Sequence, residues 1–535
     1  MTADRLLALY EKVAEAPDAV HRLRRFVLDL AVRGKLVPQD AGDEPASELV
    51  KDVEKKRKAD GAGRKKKSAV LEPTPFDGEL YDLPRGWEWV SLAAISDVIM
   101  GQSPPGSTYN TAGDGVPLIN GPVEFTEGPF GKTVVNQFTT APTNFCEEGD
   151  LLVCVRGSTT GRTNIAAFRA CIGRGVAAIR SAFDDEFIRL FLWKSREDII
   201  AMGRGIAFPS VSKKQIENLA VPLPPLTEQR RIVAKVEELM ALLDRLEAAR
   251  TAREATRDRL TTASLARLTA PDADAADFPA NARFALATLP ALTTRPDQIK
   301  SFRQTILNLA VRGKLVEQDP AESIAKSYSG QAEFDWLPPT WQTLNFGKHC
   351  DIEGGNQPPK SQFVDEPRPG YVRLLQIRDL GNKPVPVYIP EGSTNRFCRE
   401  GEILIGRYGA SVGKIFWAQD GAYNVALTKF VWPIDAFIAD FVFILLKSDL
   451  FQDRLSGASR SAQAGFNKGD LRDIDFPLPP LAEQHRIVAK VDALMALCDR
   501  LEAALTTADT TRARLLEALL HEALDPAESV MEAAE

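Results

Sequence analysis

A chain of 535 residues with 44% hydrophobic and 26% charged residues is too long for one core and too apolar to be disordered, so two to four globular domains are expected. No run of about 18 apolar residues is available to cross a bilayer, and the acidic, amphipathic start is unlike a secretion signal, which predicts a cytoplasmic protein without a membrane partner. The net charge of -7 excludes a uniformly basic nucleic-acid binder but leaves room for local cationic stripes, while six scattered cysteines and four isolated histidines predict neither structural metal nor disulfides.

From Pro17 to Asp40 the spacing of Val20, Leu23, Val27 and Leu30 predicts a helix stopped by Gly34. The stretch Lys51 to Lys67, with basic clusters Lys55–Lys58 and Arg64–Lys67, reads as a solvated linker or as a tracker of DNA phosphates. A turn then delivers Trp87 into a first strand, and a Gly-, Pro- and Asn-rich mixed α/β stretch follows. It ends on a helix-like piece, Phe187–Met202, and a polar loop, Gly203–Lys214. The segment PLPPLTEQRRIVAKVEELMALLDRLEAA, Pro222–Ala249, opens on a Pro-Pro pair and has an acidic first turn, which predicts a long helix. Its residues Ile232, Val236, Leu239, Leu243 and Leu246 alternate steps of four and three, the pattern of a coiled-coil seam.

The whole pattern then recurs. After an Ala-, Pro- and Asp-rich linker, expected to be partly ordered at Phe284–Leu292, PDQIKSFRQTILNLAVRGKLVEQD answers the first short helix through its shared RGKLV and QD, and Trp341 answers Trp87. Arg399–Lys414 aligns with Glu147–Arg162, matching Gly401, Gly409 and Gly413 to Gly149, Gly157 and Gly161 and predicting strand, tight loop and strand in both. A second helix-like piece, Phe437–Leu455, and loop Gly457–Gly469 lead to PLPPLAEQHRIVAKVDALMALCDRLEAA, whose seam would be Ile487, Val491, Leu494, Cys498 and Leu501. The most economical partner for either seam is the other copy, with a bundle core as the plainer alternative.

Searches for catalytic chemistry fail. Gly131-Lys132-Thr133 and Gly413-Lys414 lack the upstream glycine of a phosphate loop, and no adenine-methyltransferase or nuclease constellation stands out. Positive charge does stand out. Between Leu151 and Phe183 there are Arg156, Arg162, Arg169, Arg174 and Arg180 and no carboxylate, and the loop beyond carries Arg204, Lys213 and Lys214. The second repeat offers Arg407 and Lys414, then Arg454, Arg460 and Lys468 without an acid among them. A guanidinium is a planar fork suited to guanine O6/N7 or phosphate, and glycine lets the backbone approach, so Arg156, Arg162, Arg174, Arg204, Lys213, Lys214, Arg407, Lys414, Arg460 and Lys468 are the DNA-contact candidates. The plain alternative is a solvated loop.

The duplicated RGKLV helices, the duplicated PLPPL-x-EQ-x-RIVAKV helices and the two divergent domains closely resemble the specificity subunit of Type I restriction-modification systems, over essentially the whole chain. The resemblance implies two α/β (α+β) target recognition domains in tandem, each reading one half of a bipartite double-stranded DNA site, and two long helices pairing as an antiparallel coiled coil. It implies no catalytic residue here. Two modification subunits would bind S-adenosylmethionine and methylate adenine, and two restriction subunits would use ATP and Mg. The expected divisions are 1–40, a Lys-rich linker 41–82, recognition domain 83–226, helix 227–268, linker 269–295, second helical segment 296–335, recognition domain 336–481, helix 482–523 and tail 524–535. The alternatives are a fused methyltransferase, disfavoured by the missing motifs, a reader in a methyltransferase-only system, and a coiled-coil scaffold that does not bind DNA.

Overall fold

The computed structural model describes residues 15–60, 81–128, 131–181, 183, 186–203, 210–269, 278–324, 326–328, 330, 334–381, 383–458 and 465–524. The chain divides into two compact units, one holding residues up to Thr251 together with those from Thr511 onward, the other Ala252–Thr510.

In the first unit, strand Glu88–Ser91 pairs antiparallel with Ala220–Leu223, so the chain enters and leaves the domain side by side. A four-stranded antiparallel sheet follows in the order Ser96–Met100, Val176–Ser181, Leu151–Cys154 and Thr163–Ile165. Along its third strand, Leu151 and Val153 join one core with Ile188, Phe191 and Leu192. Leu152 and Cys154 turn the other way, to Ile119, Ala170 and Ile172 of a second, five-stranded sheet. Side chains alternate across a strand, so a strand buried on both faces must be apolar throughout, as LLVC is. Each such Leu or Val contributes about 1.5–3 kcal/mol relative to exposure. In the second sheet Val116–Ile119 and Ala170–Ile172 run parallel.

The second unit repeats this framework. Gln342–Asn345 pairs with Asp475–Leu478, and the four-stranded sheet runs Asp351–Gly354, Leu427–Val431, Ile403–Gly406 and Ile415–Trp417. A parallel pair, Tyr371–Leu375 with Gly421–Tyr423, sits in the other sheet. Backbone hydrogen bonds give the correspondence residue by residue. Cys154 N–H donates to Arg162 O as Gly406 N–H does to Lys414 O, and Val155 N–H to Gly175 O as Arg407 N–H does to Ala426 O. The helix-like pieces are each broken in two, at Ser195 between Glu186–Lys194 and Arg196–Met202, and at Ser448 between Ala439–Lys447 and Asp449–Ala458.

The long helices span Leu226–Thr269 and Leu481–Leu524, 44 residues each. Within each unit the innermost residues of the apolar row are covered by the short repeat helix. Ile232, Val236 and Leu243, with the half-buried Leu239 and Leu246, cluster with Val20, Val27, Leu28 and Ala31 of helix Ala19–Val32. Arg24 fastens the contact by ion pairs to Asp244 at 2.6 Å and Glu247 at 2.7 Å. In the second unit Ile487 and Val491 join Leu307, Ala310 and Val311 of helix Pro296–Val311, and Arg303 reaches Asp499 and Glu502. Cys498 is buried, Leu494 half-buried and Leu501 exposed. The short helix carries its own apolar stripe, which satisfies the row locally.

The Lys-rich stretch read as a solvated linker is helical in its first part, and the second linker, expected to be ordered at Phe284–Leu292, is helical from Phe278. Ala46–Asp60 is a helix packed through Leu49, Val50 and Val53, and Arg57 donates to the carbonyls of Ala93 and Ala94, which end a helical turn. Arg64–Lys67 lie outside the described residues. Phe278–Leu292 is a helix whose Ala285 is buried with Leu265, Leu268 and Leu309. Among the described residues, no helix is long and apolar enough to cross a membrane.

The repeated motifs form one clasp, built twice. Trp87 Nε1–H donates to Glu228 Oε2 at 3.0 Å and Gln39 Nε2–H to Glu228 Oε1 at 2.7 Å. Trp341 and Gln318 do the same to Glu483, at 2.9 and 2.7 Å. Burial pushes both carboxyls up from their ordinary value, while the two donors hold them down. Gly34 and Gly313, each at φ +66°, complete the fit: a Cβ on either would lie 2.4 or 2.6 Å from Pro84 or Pro338. RGKLV, the Trp turn and the Glu of PLPPL-x-EQ therefore lock short helix, recognition domain and long helix together.

Candidate nucleic-acid interface

The strand, tight loop and strand read from Glu147–Arg162 is present, and its glycines serve backbone geometry: Gly157 and Gly161 have φ of +82° and +78°, a region only glycine occupies without strain. At Gly161 a Cβ would also meet Arg196 O at 2.8 Å. The matching loop in the second unit uses Gly409 at +58° and Gly413 at +78°.

The arginines of the acid-free segment have different fates. Arg180 forks onto the buried Asp150 at 2.9 and 2.7 Å, Arg169 pairs with Glu147 at 3.1 Å, and Arg162 reaches Glu127 at 2.6 Å. Absence of acids in the segment did not mean absence of acids around it. Arg156 and Arg174 are exposed and make no ion pair among the described residues. They line one open cleft of about 590 Å³ with Asn120, Gly157, Gly175 and Ser210. The loop bearing Arg156 is held by a backbone bridge to Ser210, and the turn bearing Arg174 by its amide donating to Ser103 Oγ at 3.1 Å. Glu124, buried, accepts the amides of Asn120 and Gly121 at 3.2 Å and fixes that wall.

The remaining candidates are dispersed. Lys213 pairs with Glu217 at 3.5 Å, and Lys214 beside it is exposed. In the second unit Arg407 is half-buried, donates through Nε to Phe466 O at 3.1 Å and lies over the Tyr408 ring. Lys414 is exposed. Lys468 binds Asp351 at 2.9 Å and holds that carboxyl below its usual range. Arg204 and Arg460 lie outside the described residues. Sequence reasoning passed over Asn120 and Ser210, which charge counting does not select. It also passed over Tyr408 and Val425, which the backbone correspondence places where Arg156 and Arg174 stand in the first unit.

The same strand framework is built twice and carries unlike residues at its equivalent loops. Residues 84–253 and 338–508 both match the Type I restriction modification DNA specificity domain, and the chain belongs to that family. It is 26% identical to the EcoEI specificity subunit and 27% identical to the EcoAI specificity subunit of Escherichia coli, each comparison covering 95% of this chain and 94% of the relative. A solved chain, titled as part of the assembly and conformational transition of the type I R-M system, overlays with a TM-score of 0.53 at 22% identity, covering 83% of this chain and 99% of the other; that likeness concerns the fold alone.

Proposed function

We propose that this chain is the non-catalytic, DNA-addressing subunit of a Type I restriction-modification complex. Each recognition domain reads one half of a bipartite, asymmetric duplex site. The two long helices pair antiparallel as the spacer and dock two modification subunits, which carry S-adenosylmethionine; two restriction subunits bring ATP and Mg. The observation that carries this reading is the same strand framework built twice with different exposed residues at equivalent loop positions: Arg156 and Arg174 in one unit, Tyr408 and Val425 in the other. Repetition in the protein gives two half-sites, and divergence at the loops makes them unequal. The division of the chain supports antiparallel helices, because each unit takes the first part of one long helix and the last part of the other.

The test is selection from a randomised duplex pool by the full-length chain assembled with methyltransferase subunits. Two short, different tracts at a fixed separation are expected. One continuous tract, a palindrome, or no enrichment contradicts the reading.

A further inference from the structure

Resting on that reading, we propose that Arg174 is a specificity-determining residue that reads guanine in the half-site of the first unit, and that Val425 makes the second unit blind to guanine at the corresponding base. The positions are equivalent by backbone geometry. Gly173 N–H donates to Ile119 O as Asn424 N–H does to Leu375 O, and Gly175 and Ala426 accept from Val155 and Arg407. Arg174 and Val425 are the residues between these anchors.

Their surroundings differ in chemistry. In the first unit, two guanidiniums without a carboxylate partner among the described residues share a cleft with the amide of Asn120. Two cations on one wall call for electron-rich acceptors, and an arginine beside an amide suits a base edge, where guanine offers O6 and N7 to a fork and adenine offers N6 and N7 to an amide. A phosphate would need neither the concave wall nor the amide. The Arg174 turn is also short and pinned at its own amide by Ser103, so the guanidinium starts from a fixed base. In the second unit the exposed residues at the equivalent points are Tyr408 and Val425, 39% and 37% accessible, with Gln376 in place of Asn120. An exposed valine offers no hydrogen bond and suits the 5-methyl of thymine.

The variants are Arg174→Lys, Arg174→Val and Val425→Arg in the full-length chain with its methyltransferase subunits, each used to select duplexes from a randomised pool. Arg174→Lys keeps the charge and loses the fork. It should leave affinity for sites with another base at that position about unchanged, while the preference for guanine at one position of one half-site falls by roughly 5- to 150-fold, the range of a lost bidentate contact. Arg174→Val should lose the same preference, and Val425→Arg should gain guanine at one position of the other half-site. If wild type selects a two-part site and all three variants select it unchanged, or Arg174→Val weakens every sequence equally, the arginine contacts phosphate and the inference falls while the two-reader account stands. If wild type selects no two-part site, the account beneath it falls as well.

Discussion

Replacing Trp87 by Phe should open the first unit and leave the second alone, with a penalty that grows with pH. The indole N–H is one of two donors to a carboxylate that is 1% exposed, at 3.0 Å, and Gln39 is the other. Losing a hydrogen bond to a charged group costs about 1.5–3 kcal/mol. The smaller ring gives up part of its contact with Phe187, adding about 1 kcal/mol. The sum is about 2.5–4 kcal/mol, reduced where Glu228 takes up a proton. Burial holds the Glu228 carboxyl above its ordinary pKa, so its contribution to stability is fully present below the unfolded carboxyl value and is lost as pH rises through the folded one. The indole favours the charged form, so removing it raises the folded value further, and the penalty grows as pH rises. Amide hydrogen exchange at pH 5.5 and 7.5 reads both effects. Protection should fall in Glu88–Ser91 and Ala220–Leu223 more at pH 7.5, with Gln342–Asn345 unchanged. An equal loss at both pH values, or an equal loss in both units, would refute the role given to the clasp.

Gly34→Ala places a methyl 2.4 Å from Pro84 Cγ at φ +66°, whereas Gly149→Ala, at φ +88°, meets nothing within 4 Å. The second variant should cost only backbone strain, about 1–2 kcal/mol, and the first clearly more by urea unfolding; equal costs would show that the glycine is needed for φ alone. Inserting four helix-forming residues after Thr251 lengthens the first long helix by about 6 Å and turns it by about 400°, so the selected spacer should grow by one or two base pairs with both tracts unchanged. Two inserted residues turn it by about 200° and should abolish binding; an unchanged spacer in the four-residue variant would remove the helices from the ruler's role.

The duplication was legible because it is written in motifs whose residues each have a fixed contact. Trp87, Gln39, Glu228 and Gly34 recur as Trp341, Gln318, Glu483 and Gly313, and a substitution would take one donor from a buried carboxylate, remove the carboxylate from its two donors or drive a methyl into a proline. The matched glycines of the two tight loops were legible for the same reason, through their positive φ. What covers the long-helix rows was not legible, since a four-three spacing specifies an apolar stripe but not its occupant, and helix Ala19–Val32 presents an equally suitable face. Nor did the run of five arginines disclose which were available. Their acids, Glu127, Glu147 and Asp150, precede the segment in sequence and return to it only through the sheets. Asn120 came to the cleft because Val116–Ile119 lies beside Ala170–Ile172, a parallel pairing across some fifty residues that local patterns cannot announce.

The central claim is that the two domains read separate halves of one site, and footprinting of Arg156→Ala combined with Arg174→Ala tests it most directly. Both guanidiniums leave the cleft without removing a buried contact or an ion pair among the described residues, so the fold should be retained. On a duplex carrying the selected site, the account predicts that protection of one tract is lost while the other stays protected at the wild-type position. Loss of both tracts together, or retention of both, would contradict it.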